Sequence, residues 1–303
     1  MNTPGARNYL SAVIRGLVAE LKYPTGKYKT GFRDSFEWVE QPALRSIYWS
    51  IFLRYRLPLA VEFEMNSLCN RRCSYCPVSI APRPKGYFPF DAFKTIIDEL
   101  AGMNYRGIIT PNFYGEPLLD KRIYQFVDYA RKTLPLSTII INTNADKLDI
   151  EAMLALLKAG ATYIFISQHD EQPSEPIAKI DKYLESHPVY KRQVVIKNRT
   201  APDQALTNRG GLIDDSRVIN MPAFGCFRSR RATITYDGFM ILCCEDYNAE
   251  YRFGNVIENG LWSVWKNSLK KRKQIYTGNY EDVICKACAG LTSAQSANDS
   301  ASS

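Results

Sequence analysis

The residues of this chain best suited to chemistry are its eight cysteines, which fall into two groups. Cys69, Cys73 and Cys76 stand in the run C-N-R-R-C-S-Y-C. Three thiolates in one loop can hold three irons of a 4Fe-4S cluster and leave the fourth iron open. Zinc competes for thiolates, but a structural zinc closes four ligands and commonly pairs its cysteines at two-residue gaps. Asn70, Arg71, Arg72 and Ser74 make the loop polar, which argues against thiols that merely pack in a core. The second group is Cys226, Cys243, Cys244, Cys285 and Cys288. Four thiolates complete a closed cluster, so five leave one over. Adjacent strand residues face opposite sides, so Cys243 and Cys244 are not expected to ligate the same cluster. Cys285 and Cys288 form a C-x2-C pair, and on spacing alone a four-cysteine zinc suits this group as well as iron and sulfur do.

These loops need a scaffold. A length of 303 residues, 46% of them hydrophobic, suits two domains or one large one. Residues 59–220 alternate short apolar runs with helical patterns. Strands are predicted over Leu59–Glu64, Gly107–Phe113, Thr138–Asn142, Thr162–Ser167 and Gln193–Lys197, and helices over Phe90–Met103, Asp120–Thr133, Asp149–Ala159 and Glu175–Glu185. That alternation predicts an α/β fold of parallel βα units, with the chemistry at the C-terminal ends of the strands. The distinctive residues do follow the predicted strands. Over residues 221–290 Asp237-Gly238 signals a hairpin between Ala232–Tyr236 and Phe239–Leu242. Trp262 and Trp265 read as core, ahead of a basic helix at Lys266–Lys273. Residues 291–303 are small and polar and are expected to be disordered.

Residues 1–58 read as a helical extension, with Leu10, Val13, Ile14, Leu17, Val18 and Leu21 at helical spacing. A helix capping the main domain is the favoured role, and contact with a membrane surface is second. The apolar stretch Ile47–Phe63 is broken by Arg54 and Arg56, short of the ~18 residues a span needs. With no signal-peptide pattern the protein is expected to be cytoplasmic, where thiols stay reduced and bind metal rather than pair. Lys and Arg exceed Asp and Glu, 39 to 31, for a net charge of +8. That balance suits an acidic redox partner, an anionic surface or a phosphorylated substrate. The basic residues are dispersed and match no nucleic-acid module.

The C-x3-C-x2-C spacing with an aromatic before the last cysteine resembles the radical S-adenosylmethionine (SAM) superfamily, from about residue 59 to 290. The resemblance implies a partial (β/α)6, TIM-like barrel in which the open iron chelates the amine and carboxylate of SAM. An electron from the cluster then cleaves SAM to a 5′-deoxyadenosyl radical, which abstracts a substrate hydrogen. On the same resemblance Tyr114-Gly115-Glu116-Pro117 holds the SAM amino group, Thr143-Asn144 meets the ribose, and Tyr75 rests near the adenine. Ser167 and Arg209 fall at further SAM contacts. The C-terminal segment resembles the SPASM/twitch extension with one auxiliary 4Fe-4S cluster, implying Cys226, Cys243, Cys285 and Cys288 as ligands and Cys244 as the spare thiol.

The stretches Phe113–Leu119, Ser167-Gln168-His169, Thr207–Gly211 and Cys243–Asn248 are most similar to members acting on aminoglycoside-type sugars and aminocyclitols. This implies a sugar or aminocyclitol substrate, with Glu245 and Asp246 at its polar groups or as general bases, and His169 at the rim of the site. Abstraction from a carbinol carbon leaves two outcomes. A dehydrogenase passes an electron to the auxiliary cluster and yields a ketone. An epimerase returns a hydrogen atom to the opposite face from a thiol. Because Cys244 adjoins Glu245-Asp246, epimerisation is the expected outcome, with dehydrogenation second and a peptide-modifying maturase third. A flavodoxin or ferredoxin is the expected electron donor.

Overall fold

A computed structural model describes residues 46–47, 50, 57–200, 205–221 and 225–291. The amphipathic helix expected before residue 58 and the tail from 292 lie outside the described residues. Eight strands form one sheet in the order β5-β4-β3-β2-β1-β6-β7-β8. Strands β1 (Ala60–Phe63), β2 (Ile108–Thr110), β3 (Thr138–Thr143), β4 (Tyr163–Gln168) and β5 (Val194–Asn198) are parallel, each beside its predecessor. β6 (Arg231–Ile234) joins the opposite side of β1, also parallel, with Val61 aligned on Ala232. β7 (Phe239–Ile241) and β8 (Arg252–Asn255) continue the sheet antiparallel. The predicted hairpin therefore extends the parallel sheet, so the sheet runs unbroken from the 59–220 segment into the 221–290 segment. A period-two pattern shows a strand's partners only locally, which is why the β1–β6 pairing was not legible.

The helices are α1 (Pro77–Ile80), α2 (Phe90–Gly102), α3 (Ile123–Thr133), α4 (Ile150–Ala159), α5 (Glu175–Ser186), α6 (Val256–Asn259), α7 (Leu261–Tyr276) and α8 (Val283–Cys288). α2 buries Phe93, Ile96, Ile97 and Leu100, and α3 buries Ile123, Phe126, Val127 and Ala130. That i, i+3, i+4, i+7 stripe keeps one face of each helix on the sheet. The aromatic core is tight: Phe93 meets Phe63 at 5.0 Å and Phe126 at 4.9 Å between ring centroids. α4 starts where Asp149 accepts the Ala152 N–H at 2.7 Å and stops at Gly160, φ 114°. The expected basic helix is longer than the charge run suggested, because α7 takes in Trp262 and Trp265 as well. Trp265 is core, 2% exposed. Among the described residues no helix is long and apolar enough to cross a membrane.

Candidate functional site

Parallel strands place their C-terminal ends along one edge of the sheet, and the loops leaving β1 to β5 meet there around a cleft of about 240 Å³. It is lined by Cys69, Cys73, Tyr75 and Cys76 after β1, Gly115 and Glu116 after β2, and Thr143 and Asn144 at the end of β3. Ser167 and His169 of the β4 end, Arg209, and Cys244 from beyond β7 complete the set of sequence-selected residues. Pro117 is buried behind the cleft, starting a 3-10 turn over Pro117–Leu119.

The cysteine loop is held from outside. Arg71 Nε donates to Asp146 Oδ2 at 2.7 Å and Arg71 Nη1 to Asp170 Oδ2 at 2.8 Å, while Asn70 Nδ2 donates to Asp146 Oδ2 at 2.6 Å. The loop after β1 is thus tied to the loops after β3 and β4. Burial pushes the Cys69 and Cys76 thiols up, and burial with the neighbouring Cys76 pushes Cys73 to about 11. Burial makes these half-buried thiols costly to ionise and a bound cation offsets that cost, so their surroundings fit metal or cluster ligands.

Gly115 has a steric reason to be glycine: a Cβ there would stand 1.9 Å from the Asn66 carbonyl oxygen. Asn66 Nδ2 donates to the Glu116 carbonyl at 3.1 Å and the Glu116 N–H donates to the Leu68 carbonyl at 2.7 Å. These contacts seat the Gly-Glu-Pro segment against the start of the cysteine loop. The Glu116 carboxylate, 4% exposed, accepts from Thr143 Oγ1 at 2.7 Å and the Asn144 N–H at 2.8 Å. Burial raises its pKa, opposed by those donors.

The Tyr75 hydroxyl and His169 Nδ1 share a hydrogen bond, and the rings stack with centroids 6.0 Å apart. Burial and then the nearby Arg71 and Arg199 lower His169 to about 4, so its ring is neutral at pH 7. Arg199, which sequence patterning did not single out, also lines the cleft and donates Nε to Ser167 Oγ at 3.4 Å. Burial lowers its pKa, and Arg209 lies near it. No motif flags an arginine at a strand end; only the folded positions of β4 and β5 reveal it.

The second thiol group surrounds a smaller cavity of about 20 Å³, lined by Cys226, Cys243, Cys285 and Cys288 together with Arg228, Glu245 and Ile275. Cys243 and Cys244 follow the end of β7 and face different cavities: Cys243 this one, Cys244 the larger cleft. Burial pushes Cys243 well up, followed by the effect of the surrounding Cys244, Cys288, Cys226 and Cys285. Cys285 and Cys288 are pushed up to about 12, chiefly by burial. Among the described residues no three His, Cys, Asp or Glu side chains converge on a point for a single metal ion. Four thiols around one shared cavity supply the donor set that a closed four-cysteine centre needs.

The wall between the two cavities is one ionic knot. Glu245, 2% exposed, pairs with Arg228, lies 3.4 Å from Arg209 Nη1 and accepts from Thr207 Oγ1 at 2.9 Å. Arg228 Nη1 also donates to Cys244 Sγ at 3.0 Å, and the Tyr114 hydroxyl donates to the Cys244 carbonyl at 2.9 Å. Sequence reasoning expected Glu245 and Asp246 at the substrate. The structure gives Glu245 to two arginines instead. Asp246 lines neither cavity, and its carboxylate accepts the Glu250 N–H at 2.9 Å and the Tyr251 N–H at 3.1 Å, closing the turn into β8. Burial lifts its pKa to about 6.

Comparison with known proteins places this architecture. The family model of the radical SAM superfamily matches residues 64–197, and that of the SPASM iron-sulfur cluster-binding domain matches residues 226–289. The S-adenosyl-L-methionine-dependent 2-deoxy-scyllo-inosamine dehydrogenase of Niallia circulans is 30% identical over 237 residues, 77% of this chain and 93% of that enzyme. Among solved structures, BtrN in complex with AdoMet and 2-DOIA superposes with a TM-score of 0.68 at 31% identity, covering 76% of this chain and 92% of that one. BtrN in an open conformation gives a TM-score of 0.59 at 26% identity, covering 77% and 92%.

Proposed function

Because the chain belongs to the radical SAM superfamily and carries a SPASM iron-sulfur domain, we propose that it is a dehydrogenase that oxidises one carbinol of an aminocyclitol or a related polyhydroxylated substrate to a ketone. The likeness to the inosamine dehydrogenase along nearly the whole of that enzyme carries this reading. In it, Cys69, Cys73 and Cys76 hold the SAM-binding 4Fe-4S cluster, and Cys226, Cys243, Cys285 and Cys288 hold an auxiliary one. When bound, these groups supply a radical that takes a hydrogen atom and a one-electron acceptor. The balance closes with three losses from the carbinol: a hydrogen atom from carbon, a proton from oxygen and one electron.

The chain's residues divide the remaining work. Arg199 with Ser167 offers a cation and a hydroxyl to a carboxylate such as that of SAM. Glu116, fixed by Thr143 and Asn144, presents a carboxylate edge to an ammonium. His169 is too weak a base to keep the carbinol proton, and with Nδ1 engaged by Tyr75 it meets a substrate hydroxyl through Nε2, which orients that hydroxyl. A small acidic flavodoxin or ferredoxin suits the +8 chain as electron donor.

One observation supports a second reading. Cys244 lies in the cleft outside the ring of four thiols, where it is suited to return a hydrogen atom to the opposite face and invert the carbinol. Anaerobic turnover with candidate aminocyclitols and sugars, by wild type and Cys244→Ala, tests both. A ketone from wild type that persists in Cys244→Ala supports the dehydrogenase. An inverted alcohol from wild type, replaced by a ketone in the variant, overturns it in favour of the epimerase.

A further inference from the structure

Arg272, on α7, is a buried cation with no carboxylate partner among the described residues. Its side chain is 0% exposed. Nε donates to Ser268 Oγ at 2.7 Å, Nη1 to the Ser229 carbonyl at 3.0 Å and the Arg231 carbonyl at 2.7 Å, and Nη2 to the Ile241 carbonyl at 3.4 Å. The guanidinium packs on Trp265, 4.4 Å from its ring centroid, and on Phe253 at 4.8 Å. Every acceptor it meets is neutral. The neighbouring cations differ: Arg228 pairs with Glu245, Arg231 with Glu62, and Lys271 with Glu281 and Asp282.

A guanidinium stays protonated even when buried, and burying a charge without a counter-charge is costly. The carbonyls that grip Arg272 belong to the segments bearing two of the thiols: Ser229 and Arg231 follow Cys226, and Ile241 precedes Cys243. One turn along the same helix, Ile275 lines the thiol cavity itself.

We propose that Arg272 is a built-in counter-charge for the auxiliary iron-sulfur cluster, a positioning residue that raises the cluster's reduction potential so that it accepts the substrate's electron. The inference rests on the reading of Cys226, Cys243, Cys285 and Cys288 as that cluster's ligands. Reduction adds one negative charge to a buried group, and a fixed cation in the same low-dielectric region stabilises the reduced form more than the oxidised one. The carbonyl and hydroxyl acceptors fix where the charge sits, and the Trp265 and Phe253 faces exclude the water that would screen it.

The test is an EPR-monitored redox titration of the full chain with Cys69, Cys73 and Cys76 changed to Ala, so that only the auxiliary cluster reports. Adding Arg272→Gln should lower the ratio of reduced to oxidised cluster at a fixed potential about tenfold, a shift of about 59 mV for one electron. Arg272→Lys keeps the charge and loses most of the fork, and it should stay within about twofold of the parent. A loaded Arg272→Gln protein with the parent's potential overturns the proposal. So does an Arg272→Lys protein that falls as far as Gln or loses its iron, since the hydrogen-bonding fork and not the charge would then matter. If Arg272→Gln holds no iron, Arg272→Lys decides by the same criterion. A parent protein without iron refutes the ligand assignment before Arg272 is altered, which separates the two failures.

Discussion

The ionic knot at Glu245 makes a prediction that separates a structural carboxylate from a catalytic one. Glu245 is 1% exposed at its side chain, Arg228 18% and Arg209 30%, so the Arg228 pair is the dry one and the Arg209 contact is partly screened. Removing one partner of a buried ion pair costs about 3–5 kcal/mol, because the other charge stays behind. Glu245→Gln keeps the shape and an acceptor for Thr207 and one arginine, so about 3 kcal/mol applies. Glu245→Ala leaves nothing, so about 5 kcal/mol applies. At about 2–4 °C per kcal/mol for a chain of this size, the melting midpoint should fall by about 6–12 °C for Gln and about 10–20 °C for Ala. The assay is thermal unfolding of the anaerobically reconstituted protein by circular dichroism, with turnover measured well below the midpoint. If Glu245→Gln melts within about 1 °C of wild type and yet turns over no substrate, Glu245 is a base at the substrate and the structural reasoning fails.

Three further outcomes are expected. Gly115→Ala should weaken SAM binding at least tenfold, about 1.4 kcal/mol, with iron content retained, because the new Cβ meets the Asn66 backbone 1.9 Å away and neither chain can yield cheaply; equilibrium binding of SAM checks it. Cys243→Ala should lose about four irons of about eight while Cys244→Ala keeps them all, by iron and sulfide analysis; the reverse would exchange the roles of the two thiols. His169, lowered to about 4 in the folded protein from 6.5, makes the unfolded chain bind the extra proton between those values, so stability from this group falls as pH drops through that window and is flat above it. Asp246, raised to about 6, acts in the opposite sense over nearly the same range. The measurement is therefore the difference in melting between wild type and His169→Gln from pH 4 to 8, and a difference independent of pH would contradict the assignment.

Much of the scaffold was legible because it is written locally. The five predicted parallel strands and four helices between Leu59 and Asn198 appear within about three residues of their expected ends, since each carries its own period, and α4 also carries its own caps in Asp149 and Gly160. The first cysteine loop was legible for the same reason: its three thiols and its polar filler lie within eight residues. The partners that matter most at the site are not local. Arg228 meets Glu245 across 17 positions, Arg199 meets Ser167 across 32, and Arg272 reaches Ser229 across 43. A side chain paired at such separation has no periodicity to betray it, and in a linear reading each of these arginines is one of many dispersed charges.

That difference also explains why the reaction outcome is harder to read than the chemistry that starts it. Radical generation needs a cysteine loop, a Gly-Glu-Pro segment and a cleft, all set by short motifs at strand ends. In the proposed reaction, whether the carbinol radical then loses an electron or gains a hydrogen atom depends on the turn beyond β7 that borders both cavities. There Cys243 faces one cavity and Cys244 the other, while Glu245 and Arg228 hold the turn in place. The two fates differ in what lies beside the radical: an acceptor behind Cys243 or a thiol hydrogen on Cys244. The fold supplies both, so the outcome is decided by which transfer is faster. Arg272 bears on one of those rates and Arg228, 3.0 Å from the Cys244 sulfur, on the other. The arginine that pairs with Glu245 also sets where the Cys244 sulfur stands, so the turn that separates the two thiols bears on both routes.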